Sequence, residues 1–192
     1  MQPQIILASQ SPRRRELLTQ IGVTYRVEVA DIDETPRPDE SPFELVQRLA
    51  LEKAQAVWER SDKTLPVLGA DTLGFVDHEL LLKPLDFEDA RRILKSLSHR
   101  EHDILTAVAL CSAQGQSVRL NHSRVWFRAI TEAEIAAYWD SGEPQDKAGA
   151  YGIQGRAAIF IERLEGSHSG VMGLPLFETA QLLQAQGISL LS

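Results

Sequence analysis

Short apolar runs alternate along this chain with segments whose apolar residues recur at three-and-four spacing, and that alternation limits the folds open to it. Gln4–Ala8 and Leu65–Gly69 read as buried strands, and Thr24–Val29 as a strand rich in β-branched residues. Ser11 caps a helix with Pro12 in its first turn, which runs to about Ile21 and is closed by Gly22. Ser41-Pro42-Phe43-Glu44 is a capping box that opens a helix to about Arg60. On that helix Val46, Leu49, Ala50, Ala54 and Val57 share one face, and Lys53 falls among them. Leu73–Val76 and Glu79–Leu82 predict a hairpin around Asp77-His78, and Asp86 caps a helix with the apolar face Phe87, Ala90, Ile93, Leu94 and Leu97. Glu101–Cys111 and Ser117–Arg128 predict long strands joined at Gln114-Gly115-Gln116. Thr131–Glu134 is a second capping box, with its helix ending near Asp140. Ala157–Ile161 predicts a strand, Gly166 a turn, and Leu176–Gln186 a last helix closed by Gly187. Interleaved strands and helices with hairpins mid-chain predict an α/β fold: a mixed central β-sheet flanked by helices. The length of 192 residues suits one domain over residues 1–192, with the mid-chain hairpins as candidates for a second lobe around a central cleft.

A formal charge of -7 argues against a nucleic-acid polymer as partner, because such a surface repels polyanions. A small anionic ligand remains compatible with a locally positive pocket. The one cysteine, Cys111, has no partner for an internal disulfide, which fits a reducing, cytoplasmic setting, and its apolar surroundings suit a small buried residue. No stretch reaches the ~20 apolar residues of a membrane span, and Met1–Ala8 does not resemble a signal peptide.

Four segments carry chemistry. Ser9-Gln10-Ser11-Pro12-Arg13-Arg14 joins a strand to a helix start, where free N–H groups, the positive end of the macrodipole, two hydroxyls and two forked cations all suit an oligophosphate. A capped helix with solvated arginines is the plainer alternative. Gly69-Ala70-Asp71-Thr72 reads as a strand end bearing an acid and a hydroxyl, where an Asp binds Mg²⁺ or orients water, or simply starts a turn. Lys53 on an apolar face either snorkels to the rim or points into a polar pocket, and Lys83 sits at another strand end. Gly142–Gly155 is a long glycine-bearing loop with Asp146, Lys147, Tyr151 and Gln154. Its Tyr151 stacks on a base or packs in the core, and Gln154 offers one donor and one acceptor to a base edge. It matches neither a Walker A sequence nor a Rossmann fingerprint. His78, His99, His102, His122 and His168 lack zinc-ligand spacing and read as structural.

In this order, these segments and Gly173-Leu174-Pro175-Leu176 resemble motifs of the Maf family of nucleotide pyrophosphatases, from about Gln4 to Gly187. The resemblance implies an inosine triphosphate pyrophosphatase-like fold and hydrolysis of a nucleoside triphosphate to its monophosphate and pyrophosphate. It also implies a divalent metal (Mg²⁺ or Mn²⁺) and a homodimer. By motif position Asp71 corresponds to the family's catalytic proton acceptor. Arg13, Thr72 and Gln154 match the branch favouring dTTP and UTP, whereas a sister branch associated with 7-methyl-GTP carries an acid near Gln154. Ser9, Arg14, Glu34, Lys53, Lys83 and Lys147 match polar pocket positions, and Glu34 joins Asp71 as a candidate metal ligand. A carboxylate beside a metal is a weak base, which favours metal and water positioning for Asp71 over proton abstraction. The sequence departs from the family at His99, where glycine is usual, and at Leu73-Gly74, which replaces a more β-branched pair. Two other functions are weighed: the same chemistry on another base, and a non-catalytic nucleotide-binding regulator of cell division.

Overall fold

The computed structural model describes residues 2–77 and 79–190. Its strands are β1 (Ile5–Leu7), β2 (Tyr25–Val27), β3 (Val67–Val76), β4 (Glu79–Leu81), β5 (Glu101–Ser112), β6 (Gly115–Phe127) and β7 (Ile161–Glu165). Its helices are α1 (Pro12–Gln20), α2 (Pro42–Arg60), α3 (Phe87–Leu97), α4 (Glu132–Asp140), α5 (His168–Met172) and α6 (Leu176–Ala185). The strands are hydrogen-bonded in the order β2-β1-β3-β5-β6-β7, with β4 paired to β3. β1 runs parallel to β2 and β3, while β3–β4 and β6–β7 are antiparallel, so the sheet is mixed as expected. Among the described residues no helix is long and apolar enough to cross a membrane.

The chain divides into two compact units. The first comprises the residues up to Thr72, Thr106–Asn121 and the residues from Gly173; the second comprises Leu73–Leu105 and His122–Met172. In the first, Ile5, Ile6 and Leu7 are wholly buried, the pattern of a strand covered on both faces. The buried residues of α2 are Leu45, Val46, Leu49, Ala50, Ala54 and Val57, the stripe its three-and-four spacing predicts. The capping box at its start is formed in full, with Ser41 and Glu44 bonded reciprocally. In the second unit, α3 turns Ala90, Ile93, Leu94 and Leu97 into a core that also holds Phe127, Ile135, Tyr138, Tyr151 and Phe160.

Three expectations are corrected. The segments Leu65–Gly69 and Leu73–Val76 are one strand, β3, which passes through Asp71 and Thr72 without a break. Two polar residues end the apolar run in sequence, but the strand continues within the sheet, where β3 lies between β1 and β5. β1 pairs with β3 at Val67 and Leu68, and β4 pairs with it from Gly74 to Val76. Ala157–Ile161 is not a strand; Arg156–Phe160 forms a 3₁₀ helix and the strand begins at Ile161. Ala157 and Phe160 are buried three residues apart while Ile159 is 67% exposed, so the period of the segment is three rather than two. The turn between β5 and β6 lies at Ala113-Gln114, one residue earlier than expected, and Gly115 opens β6 with φ 117°. The β3–β4 hairpin is present, with Asp77 at φ 50°, whereas its other predicted turn residue, His78, lies outside the described residues.

Candidate active site

The first unit gathers Ser9, Arg14, Glu34, Lys53, Asp71 and Thr72. Pairing of β1 with β3 ends near Leu68, where the Ala8 N–H reaches the Leu68 carbonyl at 2.8 Å. Ser9, two residues beyond the end of β1, and the β3 residues Asp71 and Thr72 therefore lie just past the carboxyl end of the paired stretch of two parallel strands, the place where α/β folds gather ligands. Asp71 is 6% exposed and lies inside β3, not at a strand end as its motif suggests.

Gly69 explains why a lysine reaches that carboxylate. A Cβ on Gly69 would stand 2.4 Å from the Ala50 carbonyl oxygen and 2.7 Å from the Ala54 nitrogen, so α2 rests directly on the strand backbone. Lys53, between those two alanines, is 12% exposed and donates to Asp71 Oδ1 at 2.6 Å. It also pairs with Glu34 at 3.0 Å. Lys53 thus turns to polar partners, the Asp71 and Glu34 carboxylates. Burial pushes the Asp71 carboxyl above the ordinary carboxylate range, and the pull of Lys53 and Arg14 in the other direction only partly offsets it.

The loop from β1 enters α1 through Ser11, whose hydroxyl accepts from the Arg14 N–H at 3.5 Å. The first turn of α1 holds Arg13 and Arg14 and no acid, the reverse of what a macrodipole favours unless an anion is bound there. Arg14 is held in place: Nε donates to the Gly173 carbonyl at 2.8 Å, Nη1 to Ser9 Oγ at 3.1 Å and Nη2 to Thr72 Oγ1 at 3.4 Å. Burial lowers its pKa from the usual arginine value, with Asp71 opposing. Gly173 has φ 114°, and its motif thus supplies the carbonyl that orients Arg14. Arg13 makes no hydrogen bond or ion pair among the described residues, which leaves its fork available. Thr106, the hydroxyl at the head of the apolar run to Cys111, donates to Thr72 at 3.1 Å. It was not singled out by sequence reasoning; a lone threonine before five apolar residues is too common a pattern to stand out.

The acidic loop carrying Glu34 is tied down by Arg48. Its guanidinium makes a paired contact with Glu40 at 2.6 and 2.7 Å, and also donates to the Thr35 carbonyl at 3.1 Å. The Glu34 side chain itself is 59% exposed. Two carboxylates around one ammonium are too few for an all-protein metal cage, and among the described residues no group of three or more His, Cys, Asp or Glu could hold an ion. Such a pair suits a Mg²⁺ that takes its remaining ligands from substrate phosphates and water.

The second unit carries Lys83, Lys147 and Gln154. Lys83 is exposed just after β4. The Gly149 N–H donates to the Leu82 carbonyl at 3.0 Å, which pins the glycine-rich loop to the end of that strand. Lys147 is 14% exposed, with Nζ on the Glu143 carbonyl and on Asp146, each at 2.7 Å. A Cβ on Gly152 would meet Lys147 Cε at 3.0 Å and Gln154 Oε1 at 3.4 Å, so the two side chains flank one bare stretch of backbone. The Gln154 amide is exposed and makes no hydrogen bond among the described residues. Tyr151 packs in the core, 6% exposed, with its hydroxyl 2.7 Å from Nε2 of buried His102.

The family model described as Maf-like protein matches residues 4–186. The chain belongs to the Maf family. A dTTP/UTP pyrophosphatase of Hahella chejuensis is 52% identical, over 98% of this chain and 94% of its own. One from Alkalilimnicola ehrlichii is 54% identical, over 94% and 92%. A nucleoside-triphosphatase / dITP/XTP pyrophosphatase structure from Mycobacterium abscessus is a more partial likeness, 20% identical with a TM-score of 0.46 over 64% of this chain and 73% of that one. The positions His99 and Gly74, read from the sequence as departures from the family's pattern, have distinct surroundings. His99 has φ 59°, a conformation that favours glycine. Gly74 lies between Ile104 and Leu81, each 3.1 Å from where a Cβ would stand.

Proposed function

We propose that this Maf protein hydrolyses dTTP and UTP to the monophosphate and pyrophosphate. The observation that carries the reading is the buried Lys53–Asp71 pair beside a helix start that presents Arg13 and Arg14 with no acid. The pair offers a proton acceptor, and the arginines offer charge to a polyphosphate. The names of its relatives support the same substrates.

In this mechanism Asp71 orients the water that attacks the α-phosphorus and takes its proton as the bond to the β-phosphate oxygen breaks. Burial raises the affinity of that carboxyl for a proton, while Lys53 and Arg14, and a metal if one is bound, act to lower it. Lys53 keeps the carboxylate in place. Arg13 and Arg14 bind phosphate oxygens and stabilise the charge that grows on the leaving pyrophosphate. Ser9 and Thr72 fix Arg14. A phosphate-binding role for Lys83 and Lys147 and a base-reading role for Gln154 rest on the resemblance of their motifs to the family's. Asp71 and Glu34 would hold a Mg²⁺ or Mn²⁺ together with substrate oxygens, which would supply further neutralisation of the phosphates.

The glutamine at 154 favours the pyrimidine branch over the one associated with 7-methyl-GTP, since an acid would present two acceptors. The reading extends to a homodimer in the cytoplasm, where buried, unpaired Cys111 stays reduced. The test is product analysis with dTTP, UTP, the other common triphosphates and 7-methyl-GTP, with and without Mg²⁺. Pyrophosphate and monophosphate should appear fastest from dTTP and UTP. Release of orthophosphate, or tight binding with no turnover, would defeat the proposal; the latter would favour a nucleotide-binding regulator.

A further inference from the structure

Thr106 is a hydroxyl in an otherwise apolar, enclosed stretch. Every residue of β5 from Ile104 to Cys111 is buried, and Thr106 is 0% exposed. Valine has nearly the same shape, and an enclosed hydroxyl is costly without a partner. A partner lies on β3, the neighbouring strand of the sheet. Thr106 Oγ1 donates to Thr72 Oγ1 at 3.1 Å, across 34 residues of sequence. Being fully enclosed, Thr106 touches no ligand itself, and its influence on one passes through a neighbour.

A hydroxyl oxygen has two lone pairs and one hydrogen. At Thr72 both lone pairs are taken, one by Thr106 and the other by Arg14 Nη2 at 3.4 Å. Its hydrogen has no acceptor among the described residues. Ser9, at the other terminal nitrogen of the same guanidinium, is arranged alike. Its Oγ accepts from Arg14 Nη1 at 3.1 Å and from the Ser11 N–H at 3.2 Å, and its hydrogen also has no acceptor among the described residues. Arg14 has no acceptor atom at all, so the three side chains form a group that can only donate. Such a group matches oxygens that only accept, as those of a phosphate chain do. The two hydroxyls differ in how they are held. The second donor to Ser9 is the main chain of its own loop, whereas the second donor to Thr72 is a side chain that one substitution removes.

We propose that Thr106 is a positioning residue: it fills the second lone pair of Thr72 and thereby aims the Thr72 hydrogen at a phosphate oxygen of the nucleotide. The inference rests on the reading that the Arg14 group binds phosphate. Without the Thr106 hydroxyl, Thr72 is free to turn its hydrogen away from the ligand, and the phosphate oxygen loses a donor.

The experiment compares wild type with Thr106→Val, Thr106→Ser, Thr72→Val and the double variant Thr72→Val with Thr106→Val. It reads kcat and KM for dTTP, the Kd of inorganic tripolyphosphate by calorimetry, and thermal melting. In Thr106→Val both KM and that Kd should rise about fivefold with kcat little changed, the loss of one hydrogen bond. Thr106→Ser keeps the hydroxyl and should stay within about twofold of wild type. With Thr72→Val already in place, Thr106→Val should have no further effect, since no hydrogen remains to aim. A lower folded fraction would instead reduce kcat and leave KM alone. Should Thr106→Val not fold, Thr106→Ala takes its place, read against Thr106→Ser, from which it differs by that one oxygen. Wild-type KM and Kd in the folded variant, or the same loss persisting in the Thr72→Val background, overturns the positioning role alone. Wild-type protein that neither turns over dTTP nor binds tripolyphosphate overturns the phosphate reading, and the positioning role falls with it.

Discussion

Replacing Gly69 by alanine should damage the site from a distance, because the glycine is where α2 touches β3. The added Cβ would stand 2.4 Å from the Ala50 oxygen, 2.7 Å from the Ala54 nitrogen and 3.0 Å from the Ala54 Cβ. Two of these are helix backbone atoms, which cannot step aside without the helix. Contacts below 3.0 Å are essentially never found for a real Cβ, so α2 must retreat by about half an ångström or more. Overpacking of this kind costs ~1–3 kcal/mol, which for a chain of this length lowers Tm by roughly 2–10 °C. The same retreat draws Lys53 away from Asp71, now at 2.6 Å. Misplacement by an ångström costs about a hundredfold in rate, so a shift of half that size should lower kcat roughly tenfold. Melting curves and steady-state kinetics on dTTP check both effects. Adding Ala54→Gly removes the side-chain contact and leaves the backbone ones, so it should not rescue the variant. Wild-type Tm and kcat in Gly69→Ala, or full rescue by Ala54→Gly, would refute the argument.

Asp71→Asn should lower kcat by ~10²–10³ while the protein still binds substrate, as a single-turnover and binding comparison would show. His99→Gly should raise Tm by a few degrees with kcat unchanged: His99 is exposed at φ 59°, and relief of that strain, less the extra freedom glycine has when unfolded, leaves ~0.5–1 kcal/mol. A pH titration of stability should reveal His102, whose pKa burial lowers from 6.5 to about 4. The unfolded chain binds the proton first, so stability is complete above pH 6.5 and falls as pH drops towards 4. The loss is on the order of 3 kcal/mol, and His102→Phe should flatten that part of the profile.

Much of this molecule is local and therefore legible. The capping boxes at Ser41 and Thr131, the cap at Asp86 and the closing glycines Gly22 and Gly187 all act within a few residues, and each appears where its residues indicate. Lys53 announced itself by being charged on an apolar stripe. The β3 strand was misread because its extent follows from its place in the sheet between β1 and β5, strands remote from it in sequence, and not from its own run of apolar residues. The short strand expected at Ala157–Ile161 failed because its burial period emerges only after packing.

The order of residues alone determined the alternation of strands and helices, the cationic start of α1 and the family motifs, since periodicity, capping and charge type are properties of neighbouring residues. Only tertiary structure decided that Lys53 meets Asp71 across a bare glycine, that the Gly173 carbonyl orients Arg14, and that the Glu143 carboxylate meets the Arg156 N–H beside a bare Gly155. Those contacts join groups up to 159 residues apart, and their distances depend on how closely backbones can approach, which no local pattern encodes.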